Sequence, residues 1–600
     1  MSAILEGLNP EQGRAAAHVD GPLLVLAGAG SGKTRVLTHR IAHLLEQGVE
    51  PWQILAVTFT NKAAGEMKER VVELVGPRGQ RIFVSTFHSA CSRFLRQDIE
   101  ALGYGRSFSI YDTDDQRRLM RQLMKEQGVD RKNWSPNKIL SRIDSAKNRM
   151  VSPENMSREL RLPVGDPSPK LYQAYQAYLK AANAADFNDL INLVVKIWTE
   201  HPEILKRYQQ RFRYLLVDEY QDTNRAQYQL IRLLGSGHGN VMVVGDDDQS
   251  IYGFRGADVR NILDFQKDFP ETSVVRLEQN YRSTAHILSA ANAVVKNNSH
   301  RMEKELWTAD EPGQKLGMIV GRDEPEEANK VLDRIRSLVR DGHRYGDMAI
   351  IYRTNSASRA FEQVLTRSRV PHVLVGARKF YERKEIKDLM AYLRLVVNPA
   401  DDMAVLRAIN EPRRGIGAKA LESLREHATD LGQPLLKSAE TWAQGKGRGR
   451  KGAAEFVSII SQLQEEALRL EPGELVSLAA EASGYAAMLR ADDTMESKQR
   501  LENLDELSRA ISEDIGLQEL EDQENLDALG RLQAFLDRAA LTAQSDQLPD
   551  AGESGVITLL TAHLAKGLEF PVVFVSGMVE GGFPHFLARD REEDLEEERR

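Results

Sequence analysis

Short, wholly apolar runs alternate with helical periodicity through the first hundred residues. Leu23–Leu26, Ile54–Phe59 and Ile82–Ser85 are β-rich runs, each followed by a helical stretch. Apolar strands alternating with helices are the rhythm of a parallel sheet covered on both faces. From about Ser92 to Asp189 the rhythm stops. Asp114–Gln127 and Lys170–Asn183 read as charged helices, and Leu162–Pro169, rich in Pro and Gly, as a loop. Tyr214–Val217 and Val241–Val244 restore the strand pattern and are predicted to rejoin the first sheet. A second set comes at Val274–Leu277, Leu316–Val320, Met348–Tyr352 and His372–Val375. A helical stretch from about Gly376 to Ala551 interrupts it, and Val556–Leu560 and Val572–Ser576 resume it. The pattern predicts an α/β fold: two domains with parallel sheets, each carrying a mostly helical insertion. The first domain takes residues 1–91 and 190–273, with 92–189 inserted. The second takes 274–375 and 553–600, with 376–552 inserted.

A chain of 600 residues exceeds one core, and four units agree with that length. Cys91 is the only cysteine, so no internal disulfide forms and a reducing compartment is expected. Met1–Pro10 lacks the pattern of a signal peptide, and no apolar run approaches the ~20 residues that span a bilayer. The expectation is a soluble, cytoplasmic protein without a membrane partner. The net charge of −8 argues mildly against a polyanionic partner, but a basic groove can sit on an acidic body. The basic run Gly445–Gly452 reads as a solvated surface loop, with phosphate contact as the alternative.

Candidate chemistry sits at strand ends. After the first strand come Ala27, Gly28, Ala29, Gly30, Ser31, Gly32, Lys33 and Thr34. This is a phosphate-binding loop opening a helix: backbone N–H groups cradle phosphate oxygens, Lys33 reaches the outer phosphates, and Thr34 offers a hydroxyl to Mg²⁺. A nucleoside triphosphate with Mg²⁺ is therefore the expected ligand. Leu215–Val217 runs into Asp218 and Glu219, suited to the Mg²⁺ shell and to orienting or deprotonating water. The next strand ends in Gly245–Gly256. Gln249 is placed as a γ-phosphate sensor, and Tyr252 and Phe254 beside Arg255 suit base stacking with backbone neutralisation, a core role being the competing reading. In Leu277–Ser283, Arg282 is a candidate arginine finger across a domain cleft and Tyr281 a candidate adenine stacker; a surface arginine beside a half-buried tyrosine is the plainer reading.

Taken together and in order, these segments resemble the UvrD/PcrA/Rep family of superfamily 1 DNA helicases, across essentially the whole chain. Leu8–Gln12 resembles its adenine-reading segment, with Gln12 on the base and Arg35 just past the phosphate loop. Val57–Ala64 and Ser85–Ser89 resemble its single-strand DNA segments, which puts Thr58, Phe59, Asn61, Thr86 and His88 on the strand. Tyr352–Asn355, with Arg353 and Asn355, and Phe380–Lys387 resemble later DNA-facing segments. Thr561–Phe570 resembles the segment linking DNA to nucleotide, with His563 toward DNA and Glu569 near the ribose. Arg413–Gly417 resembles the duplex-contacting loop, with Gly415 and Gly417 at the turn; without the family it reads as a helix–helix turn. The resemblance implies two RecA-like domains with ATP in their cleft, and single-stranded DNA across their tops on Phe59, Tyr252 and Phe254. It further implies 3′-to-5′ stepping, single-strand/duplex junctions as substrates, and a monomer or weak dimer in a bacterial-type, nucleoid-associated setting.

Phe254 stands where the family usually has Trp. The last residues, Leu595–Arg600, resemble the opening of the family's final motif, whose continuation supplies a second arginine to the γ-phosphate. On that reading these residues bind nucleotide and DNA but hydrolyse ATP poorly, and repair partners would engage through a C-terminal continuation. Alternatives are a nucleotide-switched DNA-binding module and part of a RecB/AddA-type helicase–nuclease.

Overall fold

A computed structural model describes residues 3–299, 301–375, 380–492, 494–518, 526–544 and 555–600. The strands are β1 (Leu23–Ala27), β2 (Ile54–Thr58), β3 (Phe83–Thr86), β4 (Ser109–Tyr111), β5 (Ala184–Asp186), β6 (Tyr214–Val217), β7 (Val241–Gly245), β8 (Ser273–Leu277), β9 (Met348–Tyr352), β10 (His372–Leu374), β11 (Ile557–Thr561) and β12 (Val572–Val575). They make a six-stranded sheet in the order β3-β2-β6-β7-β1-β8, a four-stranded sheet in the order β10-β11-β9-β12, and the small pair β4-β5. Every pairing is parallel.

The central strands are apolar at every position because both faces are covered. Leu23, Val25 and Ala27 pack in one cluster with Val36, Leu37 and Ile41, while Leu24 and Leu26 pack in another with Phe87, Leu190 and Ile262. Each insertion leaves a sheet and returns to it. Residues between β3 and β6 carry the helices Thr113–Glu126, Pro136–Asn148 and Ser168–Ala181, whose apolar faces form a separate core. The helices from Lys384 to Gln544 form the largest core, and the chain then re-enters the second sheet at β11, beside β10. The predicted limits of this insertion, Gly376 and Ala551, lie outside the described residues.

Two expectations are corrected. Val274–Leu277 does not open the second sheet: Val275 pairs with Val25, so this strand closes the edge of the first. Leu316–Val320 is not a strand; it pairs with none among the described residues, and Leu316 and Met318 are exposed. An apolar run specifies a strand only where a neighbouring edge accepts it.

The two helical insertions are tied by charge. Arg394 bonds both Asp115 (2.7 Å) and Asp401 (2.6 Å), and Lys387 meets Asp112 (2.8 Å) and Asp114 (3.0 Å). Asp537, on a helix of the second insertion, accepts from Arg96 Nε at 2.9 Å. No helix among the described residues is long and apolar enough to cross a membrane.

Candidate nucleotide site and nucleic-acid interface

The phosphate loop lies between the end of β1 and the helix Lys33–Glu46. Its shape depends on close neighbours. At Gly28 an added Cβ would collide with Leu306. Gly30 has φ of 64°, and a Cβ there would sit 2.6 Å from Asn280 Nδ2 and 2.7 Å from Arg282 Cβ. Asn280 docks β8's continuation on the loop: its Nδ2 donates to the Ala29 carbonyl at 2.6 Å, and its Oδ1 accepts from the Arg282 and Ser283 amides. The Tyr281 amide donates to the Gly30 carbonyl at 3.0 Å. Neither Asn280 nor Leu306 stood out in the sequence, because each acts through a tertiary contact.

β6 and β7 deliver the polar groups. Lys33 Nζ donates to Gln249 Oε1 at 3.1 Å and lies 3.6 Å from Glu219. Glu219 adopts a left-handed backbone with φ of 50°, which costs a non-glycine residue ~1–2 kcal/mol. Burial opposes its charge, but Lys33 and Lys566 more than offset this and hold its carboxyl down to about 2. Asp218 is buried beside it. Desolvation first, then the Glu219 charge, pushes its carboxyl up to about 7. Such a buried acid is one that a divalent cation would ionise, so the donor chemistry of Asp218 and of the Thr34 hydroxyl, which follows Lys33 in the chain, suits Mg²⁺.

Lys566, from the loop after β11, enters this acidic group from the second sheet. Its Nζ bonds Asp222, donates to the Gln249 carbonyl at 2.7 Å and lies 3.8 Å from Glu219. Burial disfavours its charge, but Asp222 and Glu219 raise its pKa. Even so, desolvation pushes Asp222 up to about 6. The sequence points to the segment Thr561–Phe570, and within it to His563 and Glu569. Lys566 carries no local signal beyond being a lysine after an apolar strand.

Asp246, Asp247 and Asp248 are the only close group of metal-type ligands among the described residues. Lys304 fills it, 2.8 Å from Asp246 and from Asp248 and bonded to Asp247, with its side chain 2 % exposed. Arg301 adds a bidentate pair to Asp248. Asp246 in turn accepts from Gln249 Nε2, so a relay runs from Lys304 through Asp246 and Gln249 to Lys33.

Other expected nucleotide contacts are placed differently. Gln12 is buried and donates to the Ser31 carbonyl at 2.9 Å, while its Oε1 accepts from the Asn9 amide in a capping box. Arg35 donates to the Gly7 carbonyl. Tyr281 is exposed, its hydroxyl held between Asn9 and Gln279. Because β8 belongs to the first sheet, Arg282 does not come from the opposite domain; it leaves β8 beside Gly30 and crosses the cleft only to pair with Glu569 at 2.7 Å.

The aromatic surface lies next to this site. Phe254 is 64 % exposed. Its ring meets His563 edge-on at 5.0 Å, and Tyr252 donates to the His563 carbonyl at 3.2 Å. Arg255 lies over both Tyr252 and Phe254, and Lys566 over Tyr252 at 5.3 Å. Phe59 is half-buried against Phe87, and Asn61, Asn355, Gly415 and Gly417 are solvent-accessible. Thr58 is buried in β2, and the buried Thr86 hydroxyl caps its own helix, accepting from the Ser89 amide. His88 stacks on Phe187 at 3.6 Å, and burial pushes its imidazole down to about 3, so it carries no charge. Arg353 is engaged by Glu598 at 2.7 Å, and the adjacent Glu597 accepts from the Gly253 amide at 3.0 Å.

Comparison with known proteins accounts for both lobes. A family model for the UvrD/REP helicase N-terminal domain matches residues 8–270, and one for the UvrD-like helicase C-terminal domain matches residues 275–600. The chain is 46% identical over 605 residues to the ATP-dependent DNA helicase PcrA of Bacillus subtilis (strain 168), covering 100% of this chain and 81% of that protein. It is 44% identical over 606 residues to the PcrA proteins of Staphylococcus aureus (strain NCTC 8325 / PS 47) and Staphylococcus epidermidis (strain ATCC 35984), covering 100% of this chain and 82% of each. Likeness of this length, spanning both lobes, means that the chain belongs to the UvrD/PcrA/Rep family of helicases.

Proposed function

We propose that this protein is an ATP-driven DNA helicase that steps 3′-to-5′ along single-stranded DNA, opens single-strand/duplex junctions and serves DNA repair. One observation carries the mechanism. The loop Thr561–Phe570 of the second lobe touches both ends of the machine: Lys566 enters the acidic group around Glu219 and Gln249, and His563 floors the Tyr252–Phe254 surface. A change in charge beside Lys33 therefore moves the same loop that supports a stacked base.

Bound Mg·ATP supplies the phosphoryl group whose loss changes the charge of the site. The phosphate loop and Lys33 hold its phosphates, with Thr34 and Asp218 as the residues that hold Mg²⁺. Glu219, ionised at neutral pH, orients and deprotonates water. Gln249 sits on Lys33 and reports the occupancy of the outer phosphate position to Asp246 and, through Lys566, to Tyr252. Tyr281 and Gln12 border the base, and Arg282 and Glu569 form a gate across the cleft. On the DNA side, Phe254 and Tyr252 stack bases and Arg255 neutralises the backbone, while Phe59 and Asn61 continue the track. Each stacked base is worth ~1–3 kcal/mol, so exchanging such contacts between two lobe positions is enough to move a strand. A soluble cytoplasmic protein working as a monomer or weak dimer fits this reading.

The test is strand displacement from duplexes carrying a 3′ or a 5′ single-stranded tail, under single-turnover conditions with long observation. ATP-dependent displacement from the 3′-tailed duplex alone is expected. Displacement from the 5′-tailed duplex overturns the direction. Nucleotide and DNA binding with no displacement on either substrate reduces the protein to a nucleotide-switched binding module.

A further inference from the structure

Three consecutive carboxylates on the helix Glu592–Arg599 reach three different parts of the molecule. Glu596 is buried and accepts from the Ser299 amide at 2.6 Å, on the segment that follows the helix Ala285–Val295. Glu598 holds Arg353, just past the end of β9, at 2.7 Å and accepts from the His585 amide at 3.1 Å. These contacts anchor the helix to the second lobe and to the segment leading into it. Glu597 stands between them and reaches the other way. Its Oε1 accepts from the Gly253 amide at 3.0 Å, on the first lobe's loop that carries Tyr252, Phe254 and Arg255.

The residues of that loop fit this contact. Gly253 opens the short turn Gly253–Arg255, which has no side-chain cap of its own, so its first amide needs an outside acceptor. The backbone at Gly253 is not left-handed, so conformation does not demand a glycine there. Space does: an added Cβ would collide with Glu597 Oε2 and lie 3.1 Å from its Cδ. A carboxylate on an amide is a charge-assisted bond, shorter and stronger than a neutral one. The loop is therefore tied to the second lobe twice, by Tyr252 on the His563 carbonyl and by Gly253 on Glu597. On its other side Asn148, in the first insertion, donates to the Arg255 carbonyl at 3.1 Å. The ties grip the residues around Phe254 and leave its ring exposed.

We propose that Glu597 is a positioning residue for single-stranded DNA: by holding the Gly253 amide it fixes the pose in which Phe254 meets a base. The role rests on the stacking surface proposed above and adds to it a residue that acts through the backbone of the loop. The sign of its effect separates positioning from charge. Negative charge beside a phosphate backbone opposes binding, so loss of the charge alone tightens DNA. Loss of a positioning group loosens it.

The experiment measures (dT)20 affinity by fluorescence anisotropy on the whole chain, with a fluorescent ATP analogue titrated in parallel. Glu597→Ala and Gly253→Ala are each expected to weaken (dT)20 binding about fivefold or more, the lower end of what one stacked base contributes, and to leave nucleotide affinity within about twofold. Glu597→Gln keeps the acceptor oxygen and loses the charge, so it is expected to bind (dT)20 at least as well as the unmodified chain. In the double variant Gly253→Ala/Glu597→Ala the new methyl meets no carboxylate, so it is expected to bind no more weakly than Glu597→Ala alone. Unchanged or tighter (dT)20 binding by Glu597→Ala overturns the role. So does a Glu597→Gln variant as weak as Glu597→Ala, or a double variant in which the two losses multiply. Equal loss of nucleotide affinity also overturns it, as a general disturbance of the lobes. If Glu597→Ala does not fold, Gly253→Ala must still weaken (dT)20 binding and Glu597→Gln must not, or the role falls. If Phe254→Ala binds (dT)20 normally, the stacking surface fails first; if it binds weakly while Glu597→Ala and Gly253→Ala bind normally, this inference fails alone.

Discussion

Replacing Gly30 with alanine tests the geometry of the phosphate loop directly. The residue has φ of 64°, and its missing Cβ leaves the space into which Asn280 and Arg282 fit. A left-handed alanine costs ~1–2 kcal/mol. The new methyl would also displace the Asn280 side chain, which makes three hydrogen bonds, to the Ala29 carbonyl and from the Arg282 and Ser283 amides. Losing two of these at ~0.5–1 kcal/mol each brings the total to about 2–4 kcal/mol. In the free protein the loop can relax and avoid most of this. Binding ATP forces it back into the cradle, so the strain appears as lost affinity, roughly 30- to 700-fold at 1.4 kcal/mol per factor of ten. The assay is titration with a fluorescent ATP analogue, alongside Gly13→Ala as a control. Gly13 lies in the helix Pro10–Ala17 with open space at its Cβ, so its variant should bind normally. If Gly30→Ala binds within threefold of the unmodified chain, the loop does not need its left-handed turn and the cradle assignment falls.

Three other perturbations separate the roles of neighbouring groups. Phe254→Ala should weaken (dT) binding by about 1–3 kcal/mol while leaving the melting temperature unchanged, because the ring is 64 % exposed; equal affinity would remove it from the strand path. Lys304→Met should leave three aspartates without their buried cation and cost about 3–5 kcal/mol, read as a fall in melting temperature together with weaker ATP binding through Gln249; an unchanged melting temperature would refute the relay. Asp144 is pushed up to about 7 by burial and by Asp186, so the folded chain holds a proton that the unfolded chain releases near pH 4. Its contribution to stability therefore falls as pH rises from about 4 to 7, and Asp144→Asn should gain in denaturant midpoint over the unmodified chain at pH 8 but not at pH 4; parallel profiles would refute it.

Much of the architecture was legible in the chain because its signals are local. A fully apolar strand such as Leu23–Ala27, with glycines and Lys33 after it, carries its own reading: the strand must be covered on both faces and the turn must approach an anion. The same holds for β6 with Asp218 and Glu219, and for the helical insertions, whose periodicity differs from that of the sheets. Val274–Leu277 joins the first sheet rather than the second because a strand's own residues say that it is buried but not which edge accepts it. Leu316–Val320 failed for the same reason in reverse.

Residue types and spacing by themselves determined the two parallel sheets, and they marked the candidate nucleotide loop, the carboxylates near it and an aromatic pair beside an arginine. Tertiary structure alone decided which groups complete them. It brought Lys566 into the acids around Glu219, Lys304 into the triple aspartate, Asn280 onto the loop at Gly30, and Glu597 onto the Gly253 amide. It also gave Thr58 a buried place in β2, Thr86 a helix to cap and Arg353 an ion pair with Glu598. The physical reason is that a backbone preference is set within a few residues, whereas a charge finds its partner through space, often hundreds of residues away along the chain.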